Sequence, residues 1–424
     1  MTRLCRWLMS LVLRRIRSGT LVVIEPDAYR CYGNGAPAAT VAVRSPRAWR
    51  ELLRGSLGLA EAYASGYWDA PDLVAVIRIA ARNAGAADRA RALLTPLWRP
   101  IQQLRALRRP STRRQRQADI AAHYDLGNEL FTRMLDPTMM YSCAWFGEPG
   151  MSLEQAQRSK LELICRKLQI DAEDHVLEIG TGWGGFALHA ATTRGCRVTT
   201  TTISEEQYQF AREHVQRAGM EQLVTVLRED YRDLRGRFDK LVSIEMIEAV
   251  GWRHIGTFLA TCSGLLAPYG AMLLQVITID DRLYEAEKAS RSFIKEYIFP
   301  GGSLPSLATL RHDIYRHTDF SIVSHQELTP HYVPTLRQWR ERLSAHLQEL
   351  HELGYDWRFQ RIWMLYLAYC EAGFAEGRIG DFQLLLAKPL SRLHETSGEG
   401  QPAAPVIRAG TDRRGQAAVG SSVA

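Results

Sequence analysis

The stretch 175–186, HVLEIGTGWGGF, constrains the fold more than any other part of this chain. A short apolar run with an acid near its end, Glu178, leads directly into glycines at Gly180, Gly182 and Gly184. Glycine takes turn geometries closed to other residues and lets a ligand lie against the main chain. The G-x-G-x-G spacing differs from the dinucleotide fingerprint, and no Lys-Ser/Thr pair follows to make a phosphate loop. A ligand cradle and a tight turn of purely structural purpose both remain open on this stretch alone.

The surroundings narrow the choice. From about residue 160 helical and strand-like runs alternate, with strand candidates at 175–180, 197–204, 224–230, 239–246, 271–278, 321–328 and 381–388. The first five alternate with helical stretches, the pattern of a parallel sheet covered on both faces. The fold class expected is α/β, a doubly wound seven-stranded sheet. Two segments exceed ordinary loops, 279–320 and the helical 333–378. Insertions at the carboxyl edge of such a sheet usually build a lid over the substrate. Upstream, a strand-like run at 21–25 and Gly- and aromatic-rich helical sequence at 55–73 read as a small α+β domain. Between Trp98 and Ala118 lie seven arginines and no acid, punctuated by prolines. This basic linker is either a solvated segment or a membrane-holding one, each basic residue near an anionic bilayer contributing roughly 1 kcal/mol. The boundaries expected are 1–95, 96–118, 119–390 and 391–424, the last a small, polar, Pro/Gly-rich tail that should be disordered.

A net charge of +7 favours an anionic partner, nucleic acid or a membrane face. The seven cysteines are odd in number and form no C-x-x-C pair, so neither a disulfide framework nor a zinc knuckle is indicated. A reducing cytoplasm fits best. The N-terminal MTRLCRWLMSLVLRRIRSG has too short an apolar run for a signal peptide, and Arg14, Arg15 and Arg17 stand where small cleavage-site residues belong. No stretch approaches transmembrane length. As a helix this segment is basic and amphipathic, which suits a membrane surface, or equally the first helix of an ordinary domain.

The strand ends carry the chemistry. Thr202, Ser204 and Gln207 follow the second strand of the alternating region, where polar side chains can reach ribose hydroxyls. Asp230 and Tyr231 follow the third, placed to accept an exocyclic amine and to cover an adenine ring. With Glu178, Gly180, Gly182, Trp183 and Gly184, they resemble the cofactor site of S-adenosylmethionine-dependent methyltransferases.

Longer motifs resemble one family in particular, the cyclopropane fatty acid synthases and their mycolic acid relatives. They are HYDLGNELFTRMLDPTMMYSCAWF (123–146), TTISEEQ (201–207), EDYRDL (229–234), SIEMIEAVG (243–251), FIKEYIFPGGSLPS (293–306), HYVPTLRQW (331–339) and WMLYLAYCEAGFAEGRIGDFQLLLAKP (363–389). The resemblance spans roughly 20–390 and is weaker in the N-terminal quarter.

It implies transfer of the sulfonium methyl of S-adenosylmethionine to a cis double bond in an unsaturated phospholipid acyl chain. The resulting carbocation would lose a methyl proton to a bound bicarbonate and close a cyclopropane ring. The bicarbonate site implied is Cys143, Glu248, Gln275, Ile277 and Tyr332, with Tyr141 and Ser142 facing the methionine end of the cofactor. Two departures stand out: Ala249 and Gln275 occupy positions where many relatives have histidine. A methylene- or methyl-branched product is therefore an alternative to the ring.

Cys370 matches a cysteine the family commonly marks as active, although a free cysteine on an apolar helix is more often a core residue. His123 and Asp125 either tie the segment before the glycine turn to the cofactor lobe or cap a helix. Pro300, Gly301 and Gly302 shape the lid or form a plain turn. Residues 1–95 would be the membrane-associated part and 119–390 the methyltransferase domain. The protein would sit in the cytoplasm on the inner face of the cell membrane, without nucleic acid, and a homodimer through the N-terminal part is implied. An RNA methyltransferase is the rival from another substrate class, since the charge would also suit phosphates. No RNA-binding module or amine-site motif is visible, however. A non-enzymatic lipid-binding relative is the third reading.

Overall fold

The computed structural model describes residues 2–85 and 127–393. The basic linker, His123, Asp125 and the tail beyond Leu393 lie outside the described residues.

The N-terminal part is built on four strands, β1 (Gly19–Glu25), β2 (Ala28–Asn34), β3 (Ala38–Val43) and β4 (Trp68–Asp69), in the order β2-β1-β3-β4. Only β1 was legible beforehand. β2 is largely exposed and β4 is two residues long, so neither carries a clear alternating pattern. Helices Thr2–Leu13, Ala48–Leu52, Ser56–Ala64 and Leu73–Arg82 complete this part.

The remainder is the seven-stranded sheet expected: β5 (His175–Ile179), β6 (Arg197–Thr202), β7 (Val224–Arg228), β8 (Phe238–Ile244), β9 (Leu266–Ile279), β10 (Ser321–Glu327) and β11 (Ile379–Ala387). Their order is β10-β11-β9-β8-β5-β6-β7. β7, β6, β5, β8 and β9 run parallel, and β11 is antiparallel to both its neighbours. Helices join β5 to β6, β6 to β7 and β8 to β9, whereas a short turn segment without a helix joins β7 to β8, a departure from the alternation expected. The apolar residues of β8 and β9 are buried on both faces, as helices covering the sheet require. The strand order reverses at β5, which makes its carboxyl end the crevice where such sheets bind ligands.

The long insertions are helical. Segment 279–320 holds helices Tyr284–Ala289 and Leu307–His317, and the last insertion holds Thr329–Ala345, Leu347–Glu352 and Trp357–Ala375. The helix Trp357–Ala375 joins the two parts of the molecule. On it, Trp363 is 2% exposed and shares one apolar core with Trp68 and Ile79 of the N-terminal part and with Phe131, Trp183 and Trp339. Truncating a side chain so placed commonly costs ~3–5 kcal/mol. Arg361 lies 3.7 Å above the Tyr63 ring and donates to the carbonyls of Tyr63 and Trp68. Glu376 receives Arg78 and Arg82 at 2.6 and 2.7 Å.

Candidate active site

The cavity at the carboxyl end of β5 is lined by ten of the residues anticipated for the cofactor: Tyr141, Ser142, Glu178, Gly180, Gly182, Trp183, Thr202, Gln207, Asp230 and Tyr231. Gly182 has φ +52, and a Cβ built there would meet no protein atom within 4 Å, so the turn opens onto free space. Gly180, at φ +104, lies against Met246 instead. Gly184 and Ser204 lie behind the wall. Gly184 packs on Ala211 at the start of helix Gly185–Arg194, and Ser204 caps helix Glu205–Arg217 by accepting from the Gln207 N–H. Both shape the cavity without lining it. Thr202 donates to Gln207 Oε1 at 2.8 Å, which orients both side chains at the strand end. Asp230 is gripped by the Arg232 guanidinium at 2.8 and 2.6 Å. Glu178 accepts from Thr200, and burial pushes its carboxyl up to about 8.

A buried polar cluster adjoins this cavity. Its centre is Glu245, on the loop after β8, which also lines the cavity. One carboxylate oxygen accepts from the Cys143 N–H and from Gln275 Nε2, both at 2.8 Å. The other accepts from the Tyr332 hydroxyl at 2.5 Å. Glu245 has φ +49, a left-handed backbone unusual for a residue with a side chain. Burial pushes its pKa up, against the pull of Tyr332 and the Cys143 N–H. Asp381, on β11, is raised well above its ordinary range by burial and by Glu245, and accepts from Gln275 at 3.1 Å. Lys160 is fully buried, donates to Ser142 Oγ at 2.8 Å and is lowered by burial to about 8.

Local sequence explains how these groups meet. Ser152 and Gln155 form a reciprocal capping box that starts helix Leu153–Leu168. One helical turn apart, Gln157 and Lys160 then hold Ser142, Gln157 donating to its carbonyl at 2.8 Å. Thr335 and His331, on helix Thr329–Ala345, accept from the Ala144 and Phe146 N–H groups. Segment 142–146 is thereby strapped from two sides, with the Cys143 N–H aimed at Glu245.

The residues the resemblance assigned to bicarbonate are brought together here, with their donors already engaged. Cys143, Gln275 and Tyr332 all bond the Glu245 carboxylate, so in this arrangement those donors already have an anionic acceptor. Glu248 accepts from the Ile277 N–H at 2.5 Å, and its other oxygen is buried without a protein partner. Burial and the Glu245 charge push Glu248 to about 8. Its carbonyl receives the Ser303 N–H at 2.9 Å, which tethers the Pro300–Gly301–Gly302 turn beside it. Cys370 makes no bond to the cluster; it is half-buried against the apolar core, and burial pushes its thiol to about 12. A thiol so raised is a poor nucleophile at neutral pH, which favours the packing role of this half-buried residue.

Glu245, Lys160, Asp381 and Gln383 went unnoticed in the sequence. The available signals were acids three apart at the end of β8, a lysine on the apolar stripe of a helix, and polar residues at alternate positions of an apolar strand.

Sheet order, glycine turn and strand-end side chains together define an S-adenosylmethionine-dependent methyltransferase of Rossmann-like fold. Within that class, the chain belongs to the mycolic acid cyclopropane synthetase family, whose model matches residues 111–384. It is similar to a tuberculostearic acid methyltransferase of Mycobacterium tuberculosis, 39% identical over 79% of each chain. It is also similar to the cyclopropane-fatty-acyl-phospholipid synthase of Escherichia coli, 36% identical over 83% of this chain and 87% of that one. Among solved structures, the cyclopropane synthase MmaA2 from M. tuberculosis superposes with a TM-score of 0.60 at 30% identity, covering 64% of this chain and 98% of that one. A mycolic acid cyclopropane synthase complexed with SAH and CTAB matches with the same values.

Proposed function

We propose that this protein methylates the cis double bond of unsaturated phospholipid acyl chains, and that Glu245 is the base that completes the reaction. The observation carrying this reading is the half-buried Glu245 carboxylate, which lines the cofactor cavity and is held by Cys143, Gln275 and Tyr332. The bound S-adenosylmethionine supplies an electrophilic methyl group, which an alkene carbon attacks. The alkene is a weak nucleophile, and holding it in near contact can remove ~7–11 kcal/mol of barrier. A carboxylate with its pKa raised by burial is a competent acceptor for the methyl proton. The C–H electron pair then closes the ring onto the cationic carbon. If a hydride shifts to that carbon first, loss of the same proton leaves a methylene branch. Glu245 serves either outcome and makes bicarbonate unnecessary.

The partner surface in this reading is an anionic membrane face. Helix Thr2–Leu13 buries Cys5 and turns Met9 and Leu13 toward the core, yet exposes a second apolar stripe, with Leu4, Trp7 and Val12 more than half exposed and Leu8 and Leu11 at 38%. Arg3, Arg14, Arg15 and Arg17 are exposed around it, and the helix carries no acid. Such a helix suits the boundary between headgroups and acyl chains. No helix among the described residues is long and apolar enough to cross a membrane.

The test is mass spectrometry after incubation with S-adenosylmethionine and vesicles of unsaturated phosphatidylglycerol, with bicarbonate depleted or restored. Unsaturated chains should gain one CH₂ unit in both conditions, and fragmentation should distinguish ring from branch. Glu245→Gln should lose ~10²–10⁴ in rate. Methylation of RNA with none of lipid would overturn the reading.

A further inference from the structure

Gln275 stands in the middle of a directed chain of hydrogen bonds that ends outside the reactive cluster. Lys167, in the last turn of helix Leu153–Leu168, donates to Gln383 Oε1 at 2.7 Å. Gln383 lies on β11 directly opposite Gln275 on β9. Its Nε2 donates to Gln275 Oε1 at 3.0 Å. Gln275 Nε2 in turn donates to Glu245 at 2.8 Å and to Asp381 at 3.1 Å. Both glutamines are buried, at 1% and 0% exposure, while Lys167 is only half-buried.

The two ends decide the direction of this chain. An amide can face either way, but a lysine ammonium only donates and an ionised carboxylate only accepts. Lys167 therefore draws the oxygen of Gln383, which leaves the Gln383 NH₂ for Gln275. That bond holds the Gln275 oxygen away from the carboxylates and its NH₂ toward them. Were Gln275 reversed, its oxygen would stand against the Glu245 oxygen that also accepts from the Cys143 N–H, and with Glu245 ionised no proton would lie between them. In a dry interior such a mismatch costs far more than in water.

We propose that Lys167 and Gln383 are positioning residues: they set the amide orientation of Gln275, so that the amide stabilises the Glu245 carboxylate and keeps it aligned for proton removal. The inference rests on the reading of Glu245 as the base. The ionisable groups facing this network are Lys167, Asp381, Glu245, Glu248, Cys143, Tyr332 and Lys160. Burial lowers Lys167 to about 7, so above neutrality it is an amine whose N–H still donates to Gln383.

Gln383→Glu tests the direction of the chain with almost no change of shape. An ionised glutamate accepts from Lys167 but cannot donate to Gln275, so the Gln275 amide must turn round. A protonated glutamate can donate again. The expected result is a fall in kcat on the order of 10–100-fold at alkaline pH. The KM for S-adenosylmethionine should hold, and the ratio of variant to parent activity should climb as pH is lowered. Lys167→Met should also lower kcat, and Lys167→Arg should restore it, which keeps the test decisive if Gln383→Glu does not fold. The proposal is overturned if Gln383→Glu matches the parent at every pH, if its loss does not vary with pH, or if Lys167→Met and Lys167→Arg behave alike. Glu245→Gln assayed in parallel separates the two ideas: full activity there removes the base assignment itself.

Discussion

Replacing Glu245 by glycine should convert an enzyme indifferent to bicarbonate into one that depends on a small added anion. Glycine suits the left-handed backbone at this position (φ +49), where a residue with a Cβ is strained by ~1–2 kcal/mol. That relief is offset by the greater freedom of glycine in the unfolded chain, ~0.5–1 kcal/mol. The substitution also strips the Cys143 N–H, Gln275 Nε2 and Tyr332 hydroxyl of their acceptor. Left dry, each would cost ~1–3 kcal/mol, so water or an anion should enter the vacated space. Without a base the rate should fall ~10²–10⁴. Bicarbonate or formate can present carboxylate oxygens to the same three donors and restore a saturable part of the loss. In the parent, a second anion about 4 Å from Glu245 would meet ~4 kcal/mol of repulsion at an effective dielectric near 20, roughly 10³ in affinity. The assay is methyl transfer to unsaturated phospholipid vesicles against anion concentration, with cofactor affinity measured by calorimetry. A folded variant that binds cofactor normally yet responds to no small anion would refute the reasoning, as would a parent that stops without bicarbonate.

Gly182→Val meets no protein atom with its Cβ but is strained at φ +52, so its fold is checked first by circular dichroism; the folded variant should lose cofactor affinity in titration calorimetry because the side chain projects into the cavity, and unchanged affinity would displace the site. Cys370→Ala should keep activity within about threefold, the thiol being pushed to about 12 and so protonated at neutral pH. A folded but inactive variant would restore a chemical role to that cysteine. Glu248→Gln should change how stability varies with pH. The folded pKa of Glu248 is about 8 against an ordinary 4.5, so between these values the native state holds a proton that the unfolded chain has released. Stability of the parent therefore falls as pH rises through that window, and the Tm of the variant relative to the parent should climb from pH 5 to pH 8. A constant difference in thermal melts would show that Glu248 is not raised.

The sheet and the residues lining the cavity at its edge were legible because both are written locally. Apolar runs of strand length, most of them separated by helical stretches, mark β5 to β9, and glycines at fixed spacing mark a turn whose backbone takes positive φ. Polar residues at successive strand ends then fall on one edge, since parallel strands all finish at the same side. Ten of the twelve anticipated cofactor residues line the cavity for that reason. Gly184 and Ser204 do not, because a residue at a strand end can serve the helix it starts as readily as the ligand. The reactive cluster was only half legible. Glu245 and Glu248 differ by three positions in one motif, and nothing in their identity tells which carboxylate faces Cys143 and Tyr332. That is decided by the left-handed turn at Glu245 and by helix Thr329–Ala345, which brings Tyr332 in from 87 residues away. The direction of the chain from Lys167 through Gln383 to Gln275 depends on the register of β11 against β9, an antiparallel pairing across more than a hundred residues. Local sequence determines which elements form and which ends of them are polar. Which donors share one acceptor is a property of packing, because desolvation and pairing act only between groups that the folded chain has already brought together.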